Sequence, residues 1–182
     1  MRNLIKLSIL FVIALSSITF AQKKDYSGEP GYVDFAKFEG FINSDETTEI
    51  IVENKLLRMV GRIVKNKDPE LKDMMDNLKL IKAISFKTEE SSFKDLSSNV
   101  QKISKKLDGM GWDRIVKSKA KDRITYVYIK TKGDEDILGL AVMNVEEDGE
   151  SSFVNVVGKI NLDAIGRLGD RFDIPALDSV KN

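Results

Sequence analysis

The stretch ILGLAVMNV, Ile137 to Val145, is almost unbroken in its apolar character, and it limits the folds open to this chain more than any other feature. It is too short to cross a bilayer as a helix, which takes about 20 apolar residues. A strand with one wet face would alternate apolar and polar residues. This run does not alternate, so it reads as a strand covered on both faces or nearly so. EEDGESS follows, with an Asp148-Gly149 turn signal, and SFVNVVGKI is the returning strand of a hairpin.

A buried hairpin needs neighbouring strands and a cover, and the rest of the chain supplies candidates for both. DRIVKSKAKDRITYVYIKT, from Asp113 to Thr131, reads as two strands joined near Lys119 to Asp122. TTEIIVEN (Thr47 to Asn54) has the β-branched content of a strand, and Leu80 to Thr88 places Leu80, Ile84 and Phe86 on one face of another. Helical spacing marks the segments between. Leu57, Val60, Ile63 and Val64 form one apolar face, with Asn54 as the expected N-cap. Asp68-Pro69 restarts the chain as a second helix, in which Leu71, Met74, Met75 and Leu78 form the buried stripe. Phe93, Leu96, Val100, Ile103, Leu107 and Met110 alternate steps of three and four residues along a long amphipathic helix, which Gly109 and Gly111 end. Asn161 is placed to cap a closing helix bearing Leu162, Ile165 and Leu168. The expected fold is α+β: a mostly antiparallel sheet of about six strands with helices packed on one face in two layers, in the order β-α-α-β-α-β-β-β-β-α.

The N-terminus carries a different signal. Arg2 and Lys6 precede an uncharged, apolar stretch from Leu7 to Phe20, and Thr19 and Ala21 stand where a signal peptidase would read them. Residues 1–21 are therefore read as a secretory signal peptide, 22–31 as a flexible leader rich in Ser, Gly and Pro, and 32–182 as a single domain. With that processing the protein is expected in the periplasm, at the cell surface or outside the cell. No integral membrane segment would remain after cleavage.

The whole chain has 29 basic and 29 acidic residues. Without Arg2 and Lys6 it would carry 27 basic residues against 29 acidic ones, so no global polycation seeks nucleic acid. There is no Cys and no His. That removes disulfides, a lipid-bearing cysteine, thiol chemistry, imidazole-based nucleophilic systems, and the common zinc sites. No cofactor is expected. An enzyme would have to work with carboxylates, Lys, Tyr, Ser or an oxygen-liganded metal, and no motif nominates such a site.

Four features invite a functional reading. Strand, Gly158-Lys159, then helix imitates a phosphate-binding loop. However, Val154, Val156 and Val157 stand where such a loop needs glycines, and Ile160 replaces the magnesium-binding hydroxyl. The acidic runs Gly133 to Asp136 and Glu146 to Glu150 lack calcium-loop spacing and read as hairpin turns. A basic cluster, Lys102, Lys105, Lys106, Arg114, Lys117, Lys119, Lys121 and Arg123, set against Asp108, Asp113 and Asp122 in the same interval, is a candidate patch for an acidic envelope protein or an anionic membrane component. Its plainer reading is the wet faces of a helix and an outer strand. The aromatics Tyr32, Phe35, Phe38 and Phe41 are candidate docking residues, on a short helix or an extended arm, or else part of the core.

Several segments recur together in one order: YVDF (Tyr32 to Phe35), an EIIVEN strand, a DPEL helix start and an LIKAISF strand. After them come a long helix ending near Gly111-Trp112, a hairpin pair, and VVGKINLDAIGRL at Val156 to Leu168. Behind an exported Cys-free leader, this pattern resembles the bacterial domain of unknown function 4252 family. The resemblance covers nearly the whole chain after the leader and lies in pattern and order. It implies an exported protein of modest size in a binding or regulatory role, with no catalytic residues to carry over. The reading is thus a non-enzymatic binding domain of the cell envelope. A carrier of a lipid or other apolar small molecule is the alternative, and a carboxylate-dependent hydrolase the weaker one.

Overall fold

A computed structural model describes residues 24–35, 47–66, 68–133 and 136–160. The elements are β1 (Thr47–Glu53), α1 (Asn54–Val64), α2 (Pro69–Asn77), β2 (Leu78–Lys87), α3 (Glu90–Gly109), β3 (Asp113–Lys119), β4 (Arg123–Lys132), β5 (Asp136–Glu146) and β6 (Glu150–Ile160). The six strands form one sheet in the order β1-β2-β6-β5-β4-β3, and every neighbouring pair is antiparallel. The α+β class, the strand count and the order of these elements agree with the sequence reading. The signal segment and the closing helix from Asn161 lie outside the described residues.

The apolar run Ile137 to Val145 lies in β5, and it is buried from both sides. Ala141, Met143 and Val145 face one core, together with Tyr126 and Tyr128 of β4, Phe153 of β6, and Leu96, Val100, Ile103 and Leu107 of α3. Leu140 and Val142 face a second core, with Val154 and Val156 of β6, Leu57 of α1, and Met74 and Met75 of α2. Helices therefore lie on both faces, and the expected two-layer arrangement with one helical face is corrected to three layers. The reason lies in the strand itself. With both alternating sets apolar, a single helical layer would leave one set wet, at about 1.5–3 kcal/mol per large side chain.

Local signals explain the joints. Asp68 caps α2, its side chain accepting a bond from the Leu71 N–H at 2.9 Å, with Pro69 at the first helical position. Asn54 does not cap α1, because Glu53 occupies that position; the Asn54 side-chain amide instead donates to the Leu78 carbonyl at 3.2 Å. The Asp148-Gly149 turn forms as expected, with Asp148 at φ 50°. Gly158 has φ 131°, and a Cβ there would sit 2.5 Å from the Asn77 carbonyl oxygen, where β2 begins beside β6.

Residues 24–35 change the picture of the N-terminal region most. The leader expected to be flexible over 22–31 is, from Lys24 onward, an arm docked on the α3 side of the sheet. Tyr26 is buried with Leu80 and Val157, and Val33 and Phe35 enter the α3-side core. At Gly31 the arm crosses β5 backbone to backbone. A Cβ on Gly139 would lie 2.4 Å from the Gly31 Cα, so the crossing tolerates only glycine there. The buried Asn155 side chain fastens it: its Oδ1 accepts from the Val33 N–H at 2.9 Å, and its amide donates to Gly31 O at 2.9 Å and Leu140 O at 3.0 Å.

Candidate functional site

The sheet sorts the basic cluster of the sequence into three groups. Lys102, Lys105 and Lys106 are exposed along α3. On edge strand β3, Lys117 pairs with Tyr126 and Lys119 with Ile124, and both partners belong to the α3-side core. Antiparallel partners share a face, so these two lysines point to the side on which α3 lies. Lys121 is exposed in the turn between β3 and β4. Among the described residues, none of these six lysines has an ion-pair partner.

The two arginines leave the group. Arg123 lies beyond the start of the alternating Ile124, Tyr126, Tyr128 set, on the opposite face, and pairs with Glu146 at 2.6 Å. Arg114 stays exposed but reaches across β4. Its guanidinium stands 5.9 Å from the ring centres of both Tyr126 and Tyr128, lies 3.5 Å from Asp108 Oδ2, and donates to the Tyr128 hydroxyl at 3.3 Å. The Tyr128 hydroxyl in turn donates to Asp108 Oδ1 at 2.9 Å and lies 2.7 Å from Ser104 Oγ. Burial, foremost, holds the Tyr128 hydroxyl above its ordinary titration range, with the neighbouring Asp108 pushing the same way. Every polar group in this cluster has a partner within it. Its evident work is to fasten β3 and β4 to the last turns of α3.

The other sequence candidates are placed as follows. Asp136 and Glu146 stand at opposite ends of β5, roughly 33 Å apart at the rise of a strand, so the two acidic runs do not form one site. No group of three or more potential metal-ligating side chains occurs among the described residues. Lys159, the lysine of the apparent phosphate loop, ion-pairs with Asp136 at 2.6 Å. Phe35 packs on Phe153 with ring centres 5.7 Å apart, and Tyr32 is half-buried beside Tyr26, Leu80 and Val157. These two aromatics pack on their own chain, in an extended arm rather than a helix. Phe38 and Phe41 lie outside the described residues. A cleft of about 260 Å³ between the arm and β1 is lined by Lys24, Asp25, Tyr26, Ile51, Glu53 and Lys82, among others.

One surface escaped the sequence reading. On α1, Leu57 and Gly61 are buried, but Leu56, Met59 and Ile63 are exposed. Ile63 was expected on the buried face and is instead the most exposed large apolar side chain among the described residues. The available signal was the helix's excess of apolar residues over what one face requires, beside three cations and no acid.

No helix among the described residues is long and apolar enough to cross a membrane. Residues 38–168 match the family model described as Domain of unknown function (DUF4252). No curated protein and no solved structure matches the chain significantly.

Proposed function

The chain belongs to the domain of unknown function 4252 family, and on that premise we propose that it is an exported envelope protein that works by binding an acidic protein partner rather than by catalysis. The observation that carries this reading is the set of exposed lysines Lys102, Lys105, Lys106, Lys117, Lys119 and Lys121 on α3 and β3, without ion-pair partners, in a protein whose overall charge is balanced. Lys72, Lys79, Lys82 and Lys159 elsewhere on the surface each have a carboxylate within reach, while Lys55, Arg58, Arg62 and Lys65 of α1, on the opposite side of the sheet, form a smaller set without ion-pair partners among the described residues. A surface on which lysines outnumber the exposed Asp108, Asp113 and Asp122 beside them speeds encounter with an oppositely charged partner. The signal-like N-terminus supports export. The cleft beside β1 is lined by charges of both signs, which does not favour an apolar cargo.

The test is retention on immobilised poly-glutamate at low ionic strength. The wild type should be held and then released by salt, and a variant combining Lys102→Glu, Lys105→Glu, Lys117→Glu and Lys119→Glu should flow through. Equal retention of the two would end the reading of this face. Recovery of the full-length chain from the cytoplasm of its host would end the reading of export.

A further inference from the structure

The α1 surface lies on the other side of the sheet from the α3–β3 lysines, and it has a different character. Leu56, Met59 and Ile63 retain 47 %, 45 % and 77 % of their exposure. At 3.6 residues per turn they fall within about 60° of one another around the helix axis, forming a continuous aliphatic ridge. The core-facing side of the same helix, Leu57 with half-buried Val60, is already covered by the second core. Lys55, Arg58 and Arg62 lie in an adjoining arc on the far side of the ridge from the core, and Lys65 follows at the C-cap. The helix contains no acidic residue, and none of these four cations has an ion-pair partner among the described residues.

We propose that α1 is a membrane-docking element that lays this ridge into the headgroup region of an anionic lipid bilayer. Three physical arguments select that occupant. A ridge one helix wide is convex, so a protein partner would need a matching groove, whereas a fluid interface moulds itself around an amphipathic helix. Cations beside an apolar stripe place their long stems along the acyl boundary and their charged heads among phosphates. A second copy of this chain fits poorly, because symmetric contact through α1 would oppose the same unpaired cations with no acid on the helix to relieve them. The docked protein would turn its α3–β3 lysines away from the bilayer, leaving them open. The inference does not rest on the proposed acidic partner, because the two surfaces occupy opposite faces of the sheet.

The absence of native cysteine makes the test specific, since an introduced thiol is the only one in the chain. Ile63→Cys and, separately, Lys105→Cys are labelled with an environment-sensitive fluorophore. Each is mixed with vesicles of phosphatidylcholine alone or with 30 mol% phosphatidylglycerol. The label at position 63 should shift to the blue only with the anionic vesicles, and the label at position 105 should not respond. In an unlabelled background, Leu56→Ser/Met59→Ser/Ile63→Ser should weaken flotation with anionic vesicles on the order of 100-fold, from about 5-fold per half-exposed aliphatic group. These positions are exposed, so an unchanged circular dichroism spectrum will show that the fold is retained. No blue shift at position 63 overturns the proposal, as does flotation unaffected by the triple substitution. A concentration-dependent shift without vesicles, lost together with a dimer on sizing, also overturns it and assigns the ridge to a second copy.

Discussion

Replacing Asn155 should release the N-terminal arm and cost the protein a measurable part of its stability. The side chain is wholly buried and makes three hydrogen bonds, to Val33 N–H, Gly31 O and Leu140 O. At a net 0.5–1.5 kcal/mol each, Asn155→Ala removes roughly 1.5–4.5 kcal/mol, and groups left dry would add about 1–3 kcal/mol apiece. The arm sets a ceiling on that addition. If Val33 and Gly31 stay unsatisfied at too high a cost, the arm undocks and water satisfies them, at the expense of the burial of Tyr26, Val33 and Phe35. A loss of about 3 kcal/mol is therefore expected, which for a domain of this size lowers Tm by about 6–12 °C. Thermal or urea melting gives the magnitude, and hydrogen exchange read over residues 24–35 gives the mechanism. Asn155→Asp sharpens the test. It keeps the acceptor for Val33 but turns a second oxygen toward Gly31 O and Leu140 O, so at neutral pH it should be worse than Ala. Burial and those carbonyls would raise its pKa above the unfolded value, so stability should recover as pH falls and be lost as pH rises through the folded pKa. A change below 0.5 kcal/mol in Asn155→Ala, with arm amides as protected as in the wild type, would refute the assignment of Asn155 as the fastening.

Two further outcomes follow from the same geometry. Gly139→Ala should undock the arm as Asn155→Ala should, because the new methyl would overlap the Gly31 backbone; proteolysis near residue 30, expected to be faster than in the wild type, reports it. Tyr128→Phe should cost about 1 kcal/mol in a urea melt, the low end because Asp108 and Arg114 can rehydrate. The raised Tyr128 pKa also predicts alkaline sensitivity. A hydroxyl whose folded pKa lies above its unfolded value stabilises the protein below the unfolded value, near 10, and loses that contribution as pH rises through the folded one. The alkaline limb of stability should be shallower in Tyr128→Phe, and identical limbs would contradict the assignment.

The division between what was legible and what was not runs through particular residues. Strand and helix types were readable because alternation and 3.6-residue spacing are local properties of a backbone, as in β5 and in the Phe93 to Leu107 stripe of α3. The fate of Arg114 was not readable, since its partners Tyr126, Tyr128 and Asp108 meet it only once β3 lies beside β4 and under α3. Ile63 was misplaced for a related reason. Helical spacing shows that α1 has a wide apolar arc, but two overlapping stripes fit it equally well, and only docking on α2 and β2 selected Leu57 and Gly61 for burial.

By itself, the sequence determined the alphabet of this protein: six strands, the helices between them, a chain without thiols or imidazoles, and a central strand apolar on both faces. The tertiary structure decided how that strand is covered. It put α1 and α2 on one face and α3 with the arm on the other, and it left the lysines of α3 and β3 and the Leu56, Met59 and Ile63 side chains of α1 exposed. These are choices between surfaces, made by residues as distant as Val33 and Asn155, which are 122 positions apart. No local periodicity contains that information, because the free energy that selects among the surfaces exists only when both partners are in place.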